Sequence, residues 1–302
     1  MADTIPFRRI AVLGTGLIGG SFALAVRKSF LGVTVVGFDR PETAAKALAR
    51  GAVTETANDL ATAVRSANLV YIALPIAATI EALPAIAAAA APNALVTDAG
   101  STKSVICRAA QQHFKTGARF LGGHPMAGKE HSGIDHANAE LFREAPYAII
   151  ATESEAAADP RIKSFADLVS LIGGKPVYTD ADTHDWAVGI VSHLPQLVAV
   201  ALARVVQDER DQDETDQDET EETGLPVSLA GQGLRDTLRL AGSPYNVWRD
   251  VLLTNTDNIS RALDRLAQAI DYLRTQLSSK EIEQEFRTAN DLYKLLRQPK
   301  SS

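Results

Sequence analysis

RIAVLGTGLIGG, residues 9–20, carries a short apolar run straight into a glycine-rich turn. Arg9 to Leu13 is built of β-formers, and Ser21 to Lys28 continues with helical spacing. Between them Gly14, Gly16 and Gly19 form G-x-G-x-x-G. The triplet alone is a weak signal. Here it follows a strand, opens a helix, and has Asp39 twenty residues beyond Gly19 at the end of the next strand, which makes it a dinucleotide-binding fingerprint. The first glycine permits the tight turn and the second lets backbone approach a pyrophosphate. The third lets the helix pack close on the strand, with the phosphates on the helix N-terminus at Leu17 and Ile18. Asp39 can accept hydrogen bonds from ribose hydroxyls and repels a 2′-phosphate, which favours NAD over NADP, while Arg40 beside it works the other way.

Working outward, the pattern repeats. Strand-like runs at Thr34–Phe38, Leu69–Ala73, Ala94–Asp98 and Arg119–Leu121 alternate with helical runs at Glu42–Arg50, Asp59–Ser66, Ile80–Ala90 and Lys103–His113. Alternation of this kind predicts an α/β Rossmann-type, doubly wound parallel sheet. Tyr147–Thr152 and Pro176–Thr179 read as two more strands around a helix at Pro160–Ile172. After Asp182 the β signal ends, and His184–Gln207, Gly224–Ala241, Val247–Ser278 and Lys280–Arg297 all show helical spacing. The sequence therefore predicts a dinucleotide-binding domain over residues 1–180 and an all-helical domain over 181–302.

The 302 residues carry a formal charge of −7, but the run from Asp208 to Glu222 holds ten acidic residues and one arginine. That run accounts for −9, so the remainder is near +2, a body suited to small anionic ligands rather than nucleic acid or a membrane. The tandem DQDET repeats inside the run predict a solvated, mobile loop, since they lack the glycine turns and ligand spacing of a metal site. No metal centre is expected. The N-terminus shows no signal-peptide pattern, and Cys107 is the single cysteine; both suit a cytoplasmic protein with a structural thiol.

Two further stretches sit on the carboxyl edge of the predicted sheet. DAGSTKS, residues 98–104, follows one strand and GGHPMAG, residues 122–128, follows another. A histidine at such an edge is a candidate acid or base, although His124 taken by itself is as readily a turn histidine.

With these motifs in place the chain resembles the prephenate/arogenate dehydrogenase family. The resemblance is carried by the nucleotide fingerprint, DAGSTKS, GGHPMAGKEHSG (122–133), SHLPQ (192–196) and GLRDTLRLAGSPYNVWRD (233–250), in the family's order. It implies a Rossmann domain followed by a helical domain that makes a homodimer. It also implies oxidative decarboxylation of prephenate or arogenate, a cyclohexadienol whose ring carboxylate lies para to the hydroxyl. On that basis His124 matches the catalytic histidine, Ser101 the active-site serine, and Arg239 the arginine that grips the substrate carboxylate. His193 matches the first histidine of the family's SHLPH segment. Gln196 replaces the second, a departure that bears on how the substrate side chain is read. Arg235, Trp248, His113, His131, His136 and His184 carry weaker cases for a direct role. A β-hydroxyacid dehydrogenase of similar architecture is the alternative. It would place a lysine on the first long helix of the second domain, and 184–207 contains none.

Overall fold

The computed structural model describes residues 6–128, 131–213 and 225–298. Six parallel strands form the main sheet: β1 (Arg9–Leu13), β2 (Thr34–Phe38), β3 (Glu55–Thr56), β4 (Leu69–Ile72), β5 (Leu95–Asp98) and β6 (Arg119–Leu121). Their order is β3-β2-β1-β4-β5-β6, so the winding reverses between β1 and β4. In sheets of this kind that reversal puts the ligand crevice there, at the carboxyl ends of the strands. Helices α1 (Leu17–Ser29), α2 (Pro41–Ala49), α3 (Leu60–Val64), α4 (Ile76–Ala89) and α5 (Ser104–His113) cover both faces. β4 and β5 are buried at every residue, as strands covered on both faces must be.

A second, three-stranded sheet follows. β7 (Gly123–Pro125) runs antiparallel to β8 (Pro146–Ile150), which runs parallel to β9 (Lys175–Thr179); α6 (Glu153–Ala158) and α7 (Pro160–Leu171) lie between the last two. His124 thus stands in a strand, opposite Ala148, where the sequence suggested a loop. The glycine pair before it explains the geometry. A Cβ on Gly122 would meet the Cys107 sulfur at 2.8 Å, and one on Gly123 would meet the Asp98 carbonyl oxygen at 2.7 Å. Only glycines let this strand turn flush against the end of β5.

Everything described after Thr179 is helical: α8 (Ala181–Val188), a π turn (Gly189–His193), α9 (Leu194–Asp213), α10 (Leu225–Ser228), α11 (Gln232–Leu238), a 3₁₀ turn (Leu240–Gly242), α12 (Tyr245–Thr254), α13 (Thr256–Gln276) and α14 (Ile282–Arg297). Three of the four expected helical segments are therefore interrupted, Gly224–Ala241 among them, since α10 and α11 are parted by residues 229–231. Pro195 has no N–H to donate, so the ladder slips, and Leu194 N–H reaches back to the Gly189 carbonyl. Asn255 leaves helical geometry at φ −128° and parts α12 from α13. The acidic run, expected as a loop from residue 208, begins as helix. α9 continues to Asp213, with Arg204 held to Asp208 one turn on at 2.8 Å, and residues 214–222 of the run lie outside the described residues.

The helical half is fastened to the sheet by carboxylates placed on helix N-termini. Asp185 of α8 accepts the Lys103 and Ser104 N–H groups at 2.7 and 2.9 Å, at the start of α5. Asp250 of α12 accepts the Ala77 N–H at 3.0 Å, at the start of α4. Each satisfies backbone donors that a helix leaves open and places negative charge at the positive end of its dipole. Beneath the first joint, Lys103 and Asp98 form a fully buried ion pair. Lys103 also donates to the Gly123 carbonyl at 2.8 Å, while Asp98 accepts N–H groups from Gly100 and Gly123 at 2.8 and 3.2 Å. The pair thereby locks the 98–103 loop to the strand that bears His124. Lys103→Met would leave the Asp98 carboxylate buried without its cation. It should cost about 3–5 kcal/mol of unfolding free energy, the scale for breaking one partner of a buried pair. Urea denaturation measures this; a loss below about 1 kcal/mol would show that the joint does not depend on the pair.

Candidate active site

The crevice between β1 and β4 meets the requirements of a dinucleotide cradle. Gly14 sits at φ +88°, and a Cβ there would strike the Ala73 carbonyl oxygen at 2.4 Å. A Cβ on Gly19 would lie 1.9 Å from the Gly14 carbonyl oxygen, so α1 can approach β1 only with glycine there. A Cβ on Gly16 would meet nothing within 4 Å, which leaves clear space over the turn for a pyrophosphate. No side chain caps α1 and no acid stands in its first turn, so the N–H groups at Leu17 and Ile18 remain available to an anion. Asp39 ends β2 half-buried, its carboxylate oriented by N–H groups from Thr15 and Arg40, both at 2.7 Å. Each carboxylate oxygen offers two acceptor sites, so capacity remains for a ribose hydroxyl. The Arg40 side chain is exposed.

On the substrate side of the same edge lies a histidine cluster. His124 Nδ1 is 2.9 Å from His184 Nε2, and His184 Nδ1 is 2.8 Å from Asp185 Oδ1. Burial, with His184, Lys103 and His193 close by, holds His124 well below the usual histidine pKa. His193 ends the π turn, its Nδ1 3.1 Å from the Asn255 side-chain nitrogen and its ring edge-on to Trp248 at 5.8 Å. Burial brings it down to about 4, against the pull of Asp185. Both rings are therefore neutral near pH 7. Burial pushes the Asp185 carboxyl up, but hydrogen bonds from His184, Ser104 and Lys103 outweigh that and keep it ionised.

The remaining expected residues are placed less centrally. Ser101 is half-buried on the bend between β5 and α5, two residues before Lys103. Gln196, in the first turn of α9, is 4% exposed, and among the described residues nothing hydrogen-bonds its amide. Arg239 is exposed at the end of α11, on a segment packed against α9; the charges that act on His124 do not include it. Trp248 packs beside Ile76, Ile106 and Val251 and closes one side of His193. His131 stacks on His136 at 5.0 Å, outside the cluster. Cys107 is pushed up to about 12 by burial and stays a thiol.

Three residues at the heart of this arrangement are not singled out by the sequence: His184, whose case there is weak, and Asp185 and Asn255. The adjacent His-Asp pair at the head of the first helix after the last strand was the available signal. For Asn255 the only cue was a polar residue in an otherwise periodic helix.

Comparison with known proteins gives the family. The family model for the prephenate dehydrogenase nucleotide-binding domain matches residues 22–178, and that for the prephenate dehydrogenase dimerization domain matches 180–297. A prephenate dehydrogenase of Bacillus subtilis is 33% identical over 96% of this chain and 75% of its own length. The crystal structure of prephenate dehydrogenase from Aquifex aeolicus, in complex with hydroxyphenyl propionate and NAD+, superposes with a TM-score of 0.85 at 26% identity, covering 97% of this chain and all of the other. Synechocystis arogenate dehydrogenase follows with a TM-score of 0.76 at 29% identity, over 95% of this chain and 99% of its own. The chain belongs to the prephenate dehydrogenase family.

Proposed function

We propose that the chain oxidatively decarboxylates arogenate or prephenate with NAD, giving tyrosine or 4-hydroxyphenylpyruvate. Membership of the family sets aside the β-hydroxyacid dehydrogenase alternative. In this reading residues 1–180 hold the dinucleotide and residues 181–302 complete the substrate site. The observation that carries it is a neutral, buried histidine on the carboxyl edge of the sheet, beside an open glycine turn. Gly14, Gly16, Leu17, Ile18 and Gly19 would hold the pyrophosphate and Asp39 the ribose, with NAD preferred over NADP. Bound NAD supplies the hydride acceptor.

Oxidation of the carbinol carbon needs an acceptor for the hydroxyl proton, and neutral His124 offers a lone pair. Loss of carbon dioxide then makes the ring aromatic. The phenolate oxygen takes the proton back, so His124 ends the cycle neutral. Ser101 is placed to bond the same hydroxyl or the nicotinamide. Arg239 grips a substrate carboxylate through its planar fork.

Formation of NADH, followed by its near-ultraviolet absorbance with either substrate, tests the reaction. His124→Asn should lower kcat by roughly 10²–10⁴-fold, the range for a positioned acid or base. Arg239→Ala should raise KM for the substrate and leave KM for NAD nearly unchanged. Because His124 must be uncharged, kcat should fall only below the ordinary histidine range as pH drops. A near-normal kcat in His124→Asn would reduce that residue to a structural one.

The family's dimerization domain leaves α13 and α14 with apolar faces outward: Ile270, Leu277, Phe286 and Leu296 are each more than half exposed. We read these faces as a self-complementary subunit contact. Light scattering at micromolar concentration should give twice the chain mass, and a monomer would refute the reading.

Gln196 points to arogenate as the preferred substrate. Prephenate and arogenate share a side-chain carboxylate and differ in a keto oxygen against an ammonium. A histidine in this place can carry positive charge, which repels the ammonium. Glutamine cannot, and its amide oxygen accepts from the ammonium while its NH₂ serves the carboxylate. The buried position and the unengaged amide support this use. The gain is about 1–2 kcal/mol, or roughly tenfold in relative kcat/KM. Gln196→His should shift preference towards prephenate by that factor; a wild-type preference for prephenate that the substitution does not move would remove the argument.

A further inference from the structure

We propose that His184 and Asn255 are positioning residues that fix the two site histidines in opposite tautomers, His124 as a hydrogen-bond acceptor at Nε2 and His193 as a donor at Nε2. The catalytic value of this arrangement rests on the reading of both histidines as substrate contacts given above; the tautomers themselves do not.

The argument starts from Asp185, whose ionised carboxylate can only accept. Its Oδ1 lies 2.8 Å from His184 Nδ1, so that nitrogen carries a proton. Wherever the His184 ring carries one proton, that proton is on Nδ1 and the lone pair is on Nε2, 2.9 Å from His124 Nδ1. The contact is a hydrogen bond only if His124 Nδ1 bears the proton and donates. Neutral His124 therefore keeps its lone pair on Nε2, and among the described residues no side chain or backbone group bonds that atom. Free histidine favours the other tautomer, so the relay works against the ring's own preference.

The second chain starts from the same residue's backbone. The Asp185 carbonyl oxygen, also an obligate acceptor, takes the Asn255 side-chain N–H at 2.7 Å. That contact fixes which way the amide points, and Asn258 Nδ2 donating to Asn255 Oδ1 at 2.8 Å agrees with it. The second amide N–H faces His193 Nδ1 at 3.1 Å, so His193 accepts there and holds its proton on Nε2. The groups acting on His124 are His184, Lys103 and His193, and those acting on His193 are Asp185 and His184; burial keeps both rings uncharged. One ring is thus prepared to take the hydroxyl proton, while the other presents N–H to an oxygen of the substrate side chain.

Long-range proton–nitrogen NMR on the full chain labelled with ¹⁵N-histidine reads the tautomers directly, without substrate. Single His124→Gln and His193→Gln variants assign the signals. At neutral pH the wild type should show His124 with Nδ1–H and His193 with Nε2–H. His184→Leu should return His124 to Nε2–H and lower kcat by roughly 10²-fold, as expected when an acid–base histidine is held in the wrong tautomer. KM for NAD should not move. His184→Gln keeps an acceptor oxygen and should restore Nδ1–H and most of kcat, a rescue that a purely packing role would not give. Nε2–H on His124 in the wild type, or an unchanged His124 tautomer in His184→Leu, overturns the proposal. If His184→Leu fails to fold, the wild-type spectrum alone decides. Tautomers as stated with an unmoved kcat in His184→Leu would uphold the relay and overturn the proton-accepting role of His124 instead.

Discussion

The carboxylate of Asp185 donates nothing, and the residue accepts from three sides. Its two oxygens take the first N–H groups of α5 and the ring of His184, and its carbonyl takes Asn255. It is 2% exposed, so none of these bonds has water as a substitute. A carboxylate that far from solvent is tolerable only when every lone pair is engaged, and the helix dipole of α5 contributes to keeping it charged. The position of the helical half on the sheet, the set of the 98–103 loop and the orientation of two histidines all follow from this one group being satisfied.

The buried Lys103–Asp98 pair has the complementary task on the sheet side. It holds the loop bearing Ser101 and the strand bearing His124 in fixed relation, because Lys103 reaches both Asp98 and the Gly123 carbonyl. A hydrophobic pair could fill the same volume. It could not specify the path of a loop through so many backbone polar groups.

Much of this was readable from the residues. The glycine turn is a local requirement: a positive φ at Gly14 and a packing at Gly19 that leaves no room for a Cβ are written into residue type, and so survive in the sequence. The parallel, doubly wound character of the sheet followed from the alternation of strands and helices. His124 can be singled out but not placed in a strand, because β7 has only three residues, too few to show alternation. His184 was ranked low because its significance comes from Asp185, and that of Asp185 from amides about eighty residues earlier in the chain. Asn255 lay hidden within a helical period, which registers apolar faces and is blind to what a polar side chain bonds. The helical start of the acidic run was missed for a related reason: composition reports solvation, whereas Arg204 and Asp208 support one another locally across one turn.

The joint also decides when the chain is able to act. The glycine turn is complete within the sheet half, and its function asks nothing of the helices. His124, the base of the proposed reaction, is different, since its partner arrives on α8. If the halves part, water reaches the His124 ring, which then distributes its proton as any free imidazole does, while the turn that receives the dinucleotide is untouched. Binding and turnover are in this way separately licensed. On the proposed function, occupancy by the dinucleotide would report that the sheet has folded, whereas chemistry would require that the two halves have met in register, a check on assembly that needs no signal beyond the hydrogen bonds of Asp185.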